Sequence, residues 1–190
     1  GYESRQKVLQ GLRKEGGSAF NFLTSGMSAE QLHVLGALRE RFLERSPGAS
    51  PQSPHVVYAF HGTRVELVES ICRNGIVAMR ETDSGYFGLG CYTTLNIEYA
   101  ARYAHGEFEG VPRRGHPADQ AYPIIMAAVS VGMCYPVTPG VDYLKRGDGM
   151  SDFLGQPLKK GFDCHCAAVC APSFQAVGRK EMQYMELVVD

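Results

Sequence analysis

The sequence lacks both a long basic run and a long apolar run. Its formal net charge is −1, and adjacent cations such as Lys159-Lys160 and Arg113-Arg114 occur as isolated pairs. Proteins that bind nucleic acid usually concentrate positive charge on one surface, so we expect no nucleic-acid partner. No apolar segment approaches the roughly 20 residues of a membrane-spanning helix, so we expect a soluble protein without a membrane partner.

Cysteine is also sparse, with six in 190 residues, and most of the six lie in apolar surroundings. Such cysteines usually pack as small hydrophobic side chains, which predicts a reduced fold with little disulfide structure. The group Cys164-His165-Cys166 and Cys170 could suggest zinc. In a β-strand, however, alternate side chains point to opposite faces, so both thiols of Cys-x-Cys would face away from the histidine. A buried core strand is favoured over a metal site, and we expect no bound metal.

Two stretches near the N-terminus have helical periodicity. The first covers residues 3–14, and the second begins at Ser28, which forms a capping-box pattern with Gln31. The apolar residues that recur after this cap are Leu32, Leu35, Leu38 and Phe42. An amphipathic helix most often packs on its own fold, so packing on the main domain is favoured over a role as a lid or partner-binding surface.

Residues 46–54 contain three serines and three prolines, a composition typical of a linker. We therefore divide the chain into an N-terminal helical extension with its linker, residues 1–54, and a main domain, residues 55–190. In the main domain, short β-prone runs such as Tyr184–Val189 alternate with helical stretches. This order predicts an α+β fold with two packed, mostly antiparallel sheets and flanking helices.

Three short segments carry candidate chemistry: His61-Gly62-Thr63 after a β-prone run, the glycine-rich Phe87–Tyr92, and Tyr184-Met185-Glu186. Their side chains could hold a dinucleotide and stabilise positive charge on a sugar. An acidic residue within an apolar run is uncommon, which favours a functional Glu186 over a solvated glutamate on an edge strand. Taken alone, His61 would be interpreted as a structural histidine.

In this order the segments resemble the His-Tyr-Glu triad of the poly(ADP-ribose) polymerase and diphtheria-toxin-like ADP-ribosyltransferases. Residues 85–92 resemble the glycine-rich turn of that family, and Tyr103 lies where the family has a second aromatic residue. Phe162-Asp163-Cys164 resembles its Tyr-Asp-Ser strand, whereas Ala100 replaces a frequent serine. The resemblance covers about the last 130 residues and implies an ADP-ribosyltransferase fold with NAD as co-substrate.

The resemblance also implies roles for individual residues. Glu186, His61 and Tyr92 would form the catalytic triad, in which Glu186 stabilises positive charge on the sugar. The backbone of Gly62 would contact the nicotinamide carboxamide, and the absence of a side chain there would permit the approach. The implied NAD-binding set is His61, Gly62, Thr63, Tyr86, Tyr92 and Tyr103.

The implied function is a mono-ADP-ribosyltransferase that modifies a protein, since the small size without an added regulatory domain favours single transfer. Arginine-modifying relatives carry Glu or Gln two residues before the catalytic glutamate, whereas Tyr184 stands there. This implies a hydroxyl or carboxylate acceptor. The resemblance further implies a bacterial effector or toxin, secreted into a host cytoplasm, with a host acceptor such as a ubiquitin-pathway protein. Two alternatives stay open, an RNA 2′-phosphotransferase-like enzyme and an inactive module that binds NAD or ADP-ribose.

Overall fold

The computed structural model describes residues 7, 26–45, 56–76, 84–105, 121–170, 176–178 and 182–189. The helices within these ranges are α1 (Ala29–Arg45), α2 (Val65–Asn74), α3 (Ile97–His105) and the short α4 (Pro139–Asp142). The strands are β1 (Val56–Gly62), β2 (Cys91–Thr94), β3 (Ile124–Ser130), β4 (Cys134–Val137), β5 (Cys164–Val169) and β6 (Tyr184–Val189). Among the described helices, none is both long and apolar enough to cross a membrane.

The six strands form one sheet in the order β3-β1-β2-β6-β5-β4. Only β4 and β5 are parallel, and every other neighbouring pair is antiparallel. The prediction of a mostly antiparallel α+β fold is therefore confirmed, but the two packed sheets are not found among the described residues. Strands β1 and β2 pair only at Phe60 and Thr94, so this residue pair connects the two parts of the sheet.

Helix α1 packs on this sheet, and its start follows the predicted capping box. The Ser28 backbone N–H donates to Gln31 Oε1 at 3.1 Å, and the Gln31 N–H donates to Ser28 Oγ at 3.2 Å. Of the predicted apolar face, Leu35 and Leu38 are buried, whereas Leu32 is 40% exposed and Val34 is buried in its place. Helical spacing from Gln31 explains this, because positions three, four and seven residues later share its face.

The other predicted elements of the extension, the helix at 3–14 and the linker at 46–54, fall outside the described residues apart from residue 7. In the main domain, the ends of the helices and strands agree well with local sequence signals such as glycine. Helix α2 ends before Gly75, whose φ is +88° and whose N–H donates to the Ile71 carbonyl at 2.8 Å. A bend at Gly132, with φ +55°, separates β3 from β4.

Strand β5 divides the core into two layers. Cys164, Cys166 and Ala168 pack in the cluster that contains the apolar residues of α1. Ala167 packs in a second cluster with Phe87 on the opposite face. His165 also lies on this opposite face, with its ring 4.3 Å from that of Phe153. The predicted alternation of the Cys-x-Cys strand is confirmed, and none of the described cysteines forms a disulfide bond.

Candidate active site

A cleft lies where the pairing of β1 with β2 ends. Its empty volume, which includes space open to solvent, is about 380 Å³. Strands β1, β2 and β6 and helix α3 all contribute side chains to it. The lining residues are Phe60, His61, Gly62, Tyr92, Thr93, Thr94, Tyr99, Ala100, Tyr103 and Glu186.

His61 connects the two strands beside this cleft. Its Nδ1 lies 2.8 Å from the carbonyl oxygen of Tyr92. Because a carbonyl can only accept a hydrogen bond, Nδ1 carries the proton and donates it, which leaves Nε2 as the second nitrogen for a ligand. This bond sets the ring orientation, so the structural and functional interpretations of His61 are compatible.

Gly62 is required by the fold for a reason that the sequence did not reveal. A Cβ at this position would overlap the carbonyl oxygen of Ala100 and lie 2.9 Å from the backbone nitrogen of Ala104. Helix α3 therefore crosses directly over the glycine. This close helix–strand contact is a structural reason for the missing side chain, and the predicted contact of the Gly62 backbone with nicotinamide stays a prediction.

The glycine-rich turn holds the hydroxyl of Tyr92. This hydroxyl donates to the carbonyl of Gly88 at 2.8 Å and accepts from the backbone N–H of Phe87 at 2.9 Å. Gly88 has φ +121°, a conformation that a side chain would strain. The sequence Phe87–Tyr92 therefore folds into a loop that fixes the tyrosine at its end, where the ring lines the cleft.

His165 supports the same turn from β5. Its Nδ1 donates to the carbonyl of Phe87 at 2.6 Å, and its Nε2 accepts from the Lys159 N–H at 2.7 Å. The ring is completely buried. Burial lowers the pKa of His165 from 6.5 to about 4, although the Phe87 carbonyl opposes this shift. His165 is therefore neutral near pH 7, with one nitrogen donating and the other accepting.

Glu186 occupies the centre of the sheet. Strand β6 lies between β2 and β5, and Glu186 is in register with Thr94 on one side and Ala167 on the other. Its exposure is 2%. The alternative of a solvated glutamate on an edge strand is therefore wrong.

Two tyrosine hydroxyls contact this carboxylate. Tyr99 donates to Oε2 and Tyr103 donates to Oε1, each at 2.9 Å. Burial, followed by the negative charge of Glu186, raises the pKa of both phenols, although part of the Tyr103 residue stays exposed. Both tyrosines therefore stay protonated and able to donate. The pair follows from helical spacing, since residues four apart in α3 lie on the same face.

The structure brings five of the seven predicted site residues together. His61, Gly62, Tyr92, Tyr103 and Glu186 line the cleft, whereas Thr63 and Tyr86 do not. Thr63 is buried. Tyr86 packs in the second core cluster, with its ring edge-on to Phe87 at 4.8 Å.

Sequence reasoning missed Tyr99 and Thr94, both of which line the cleft. The Tyr99–Tyr103 interval was the available signal for Tyr99, since it places both rings on one helical face. Thr94 donates to the carbonyl of Met185 at 2.6 Å, next to Glu186. No local pattern marks Thr94, because its role depends on the pairing of β2 with β6.

The cleft combines features that suit a nicotinamide nucleotide. Tyr92 and Tyr103 provide aromatic surface, while the His61 imidazole can hydrogen-bond sugar hydroxyls. A buried carboxylate in low-dielectric surroundings can stabilise positive charge that develops on a sugar. Among the described residues, no cluster of His, Cys, Asp and Glu is suited to hold a metal ion.

Comparison with known protein families gives a match to the poly(ADP-ribose) polymerase catalytic domain over residues 31–147. The match begins within α1, includes His61, Tyr92 and Tyr103, and ends before β5 and β6. No curated protein matches the chain by sequence. Since the family match covers more than half of the chain, the protein belongs to the poly(ADP-ribose) polymerase catalytic-domain family of NAD-dependent ADP-ribosyltransferases, and NAD is its co-substrate.

Proposed function

We propose that the protein transfers a single ADP-ribose group from NAD to a hydroxyl or carboxylate side chain of an acceptor protein and releases nicotinamide. The observation that carries this proposal is the buried Glu186 carboxylate in the cleft, with Tyr92 and Tyr103 as aromatic neighbours. NAD supplies the ADP-ribosyl group, whose bond to nicotinamide breaks as positive charge develops on the sugar. In this proposal Glu186 stabilises that charge.

The remaining lining residues would bind and orient NAD. His61 would hydrogen-bond the sugar through Nε2, because its Nδ1 proton is held by the Tyr92 carbonyl. Tyr92 and Tyr103 would contact the nicotinamide ring. Glu186 has a second role with the acceptor, since a carboxylate can take the proton of an incoming hydroxyl. The roles of Thr63 and Tyr86 in NAD binding stay predictions, and any contact they make would lie outside the cleft that the other residues line.

Single transfer is supported by the charge of the lining residues. Extension of a polymer requires the cleft to bind a second ADP-ribose unit, whose pyrophosphate is negatively charged. Arginine and lysine are the usual ligands of such a group. The ten described lining residues include neither, and their one formally charged side chain is the acidic Glu186. NAD already brings one pyrophosphate to the cleft, and the described lining residues supply no cation for a second one, which favours a protein acceptor over an anionic polymer end.

The environment of Tyr184 supports a hydroxyl or carboxylate acceptor. Its ring stacks on that of Tyr99, with centroids 5.1 Å apart and planes 16° apart. An arginine acceptor stays protonated near neutral pH, so a second acidic or amide side chain would be needed to hold it. Tyr184 supplies neither at this position. Residues 179–181 lie outside the described residues.

We also propose a host-cell protein as acceptor, with the chain acting as a secreted bacterial effector. The resemblance to small effector-type members of the family supports this part of the proposal. Ubiquitin-pathway proteins are the first acceptors to test.

The test incubates the protein with labelled NAD and a eukaryotic lysate, then separates the labelled proteins. We expect discrete labelled bands and release of nicotinamide, and we expect neither with Glu186→Gln as the matched control. Mass spectrometry with electron-based fragmentation should locate ADP-ribose on Ser, Thr, Asp or Glu. Ladders of polymer would contradict single transfer, and modification mainly of arginine would contradict the proposed acceptor. An absence of both labelling and nicotinamide release would favour the inactive-module alternative.

A further inference from the structure

The burial of Glu186 opposes the charged state that its proposed role requires. The residue is 2% exposed, on an interior strand between two hydrogen-bonded neighbours. Removing a carboxylate from water favours its protonated form, which carries no charge to act on a sugar. Hydrogen bonds donated to the carboxylate oppose this effect, because they stabilise the charged form.

Tyr99 and Tyr103 provide such donors, one to each carboxylate oxygen. A phenol is a neutral donor, so it stabilises the carboxylate without adding a positive charge beside it. A cation in the same place would weaken the attraction between the carboxylate and a positively charged sugar. Two phenols therefore suit a carboxylate that must stay ionised and keep its electrostatic effect.

The two tyrosines differ in how firmly they are held. Tyr103 is 40% exposed and lines the cleft, where a ligand can contact its ring. Tyr99 is 1% exposed. Its ring stacks on Tyr184 and meets the Tyr103 ring edge-on, with centroids 5.3 Å apart. The Tyr99 hydroxyl is therefore held in place by packing on the protein, independently of any ligand.

We propose that Tyr99 is a positioning residue, whose hydroxyl keeps Glu186 ionised and fixes the direction of its carboxylate within the cleft. Tyr99 acts through Glu186 and not on the substrate. The inference rests on the proposed catalytic role of Glu186, but its effect on the carboxylate is measurable without any turnover.

The first experiment titrates Glu186 directly by NMR of protein labelled with ¹³C at the glutamate carboxyl carbons. Glu186→Gln identifies the Glu186 signal by its loss. In Tyr99→Phe the ring and its packing remain but the donor is lost, so the midpoint of the Glu186 titration should rise by about one pH unit or more. An unchanged midpoint would overturn the inference, whether or not the protein proves to be a transferase.

Tyr135→Phe is the matched control. This substitution also removes a buried hydrogen bond, which the Tyr135 hydroxyl donates to Asp142 at 2.7 Å, but Tyr135 does not line the cleft. We expect this variant to lose thermal stability while the Glu186 midpoint stays within about 0.2 pH units of the wild type. A comparable shift in Tyr135→Phe would show that general loosening, and not the Tyr99 donor, controls Glu186.

Kinetics provide a second readout. In Tyr99→Phe, kcat should fall at least tenfold with KM for NAD nearly unchanged, and the acidic limb of the kcat profile should move to higher pH. Loss of NAD binding by calorimetry would contradict a positioning role. If Tyr99→Phe fails to fold, 3-fluorotyrosine at position 99 replaces it. This stronger donor should move the Glu186 midpoint to lower pH, and a midpoint that stays in place would refute the proposal.

Discussion

His165 makes a testable contribution to the pH dependence of stability. It is completely buried between the Phe87 carbonyl and the Lys159 N–H, and burial lowers its pKa to about 4. In the unfolded chain its pKa returns to about 6.5. The unfolded state therefore binds more protons between these two values, and the free energy of unfolding falls as the pH falls.

The magnitude follows from the pKa difference of about 2.5 units, which corresponds to roughly 3 kcal/mol when the pH is below both values. The contribution is complete above pH 6.5, is lost as the pH falls through 4, and about 2.5 kcal/mol of it is lost by pH 4.5. Below pH 4 the protonated ring can no longer accept from Lys159, so the turn that carries Phe87 loses a support.

The assay is denaturant unfolding of the wild type and of His165→Gln at pH 7.5 and pH 4.5, after reversibility is established. Other titrating groups act on both proteins, so they cancel in the difference. We expect the wild type to be more stable than His165→Gln at pH 7.5. The difference between their free energies of unfolding should be about 2 kcal/mol smaller at pH 4.5. A difference that is the same at both pH values would refute the neutral, buried His165.

The remaining predictions concern the cleft. Glu186→Gln should lower transfer at least 10²-fold while NAD affinity by calorimetry changes little, because the lost charge acts mainly in the transition state; lost binding would contradict this. Tyr92→Ala and Tyr103→Ala should each weaken NAD binding by about 1–3 kcal/mol in a protein that circular dichroism shows to be folded. Unchanged NAD affinity in either variant would show that the substituted ring does not contact the ligand. Gly62→Ala should lower the free energy of unfolding by about 1–3 kcal/mol, since its methyl group would overlap the Ala100 carbonyl, and a neutral effect in thermal unfolding would contradict the crossing of α3.

Features set by neighbouring residues could be predicted from the sequence. The Ser28–Gln31 capping box and the end of α2 at Gly75 each depend on contacts within about four residues. Strand β6 has the predicted bounds, Tyr184–Val189. The alternation of Cys164–Val169 between the two core clusters also follows from the period of a strand.

Features set by distant pairing could not be predicted in this way. The single sheet arises because β6 inserts between β2 and β5, which brings residues about 20 and 90 positions apart into register. The contact of Gly62 with α3 and that of Tyr99 with Glu186 likewise depend on where helix α3 crosses the sheet. Neither contact leaves a periodic pattern in the sequence. The Tyr99–Tyr103 spacing indicates only that both rings lie on one face of α3.

The cleft requires two arrangements that oppose stability, an interrupted strand pair and a buried charge. Past the Phe60–Thr94 pair, the link from β1 to β2 passes through the His61 ring to the Tyr92 carbonyl. The Glu186 carboxylate, whose charged form burial disfavours, accepts hydrogen bonds from α3. Each compensating contact comes from a side chain that also lines the cleft. Substitutions of His61 and Tyr103 should therefore change stability and ligand binding together, whereas Tyr99→Phe should change stability and the ionisation of Glu186 with little effect on NAD binding. Substitutions at Tyr135 should change stability alone.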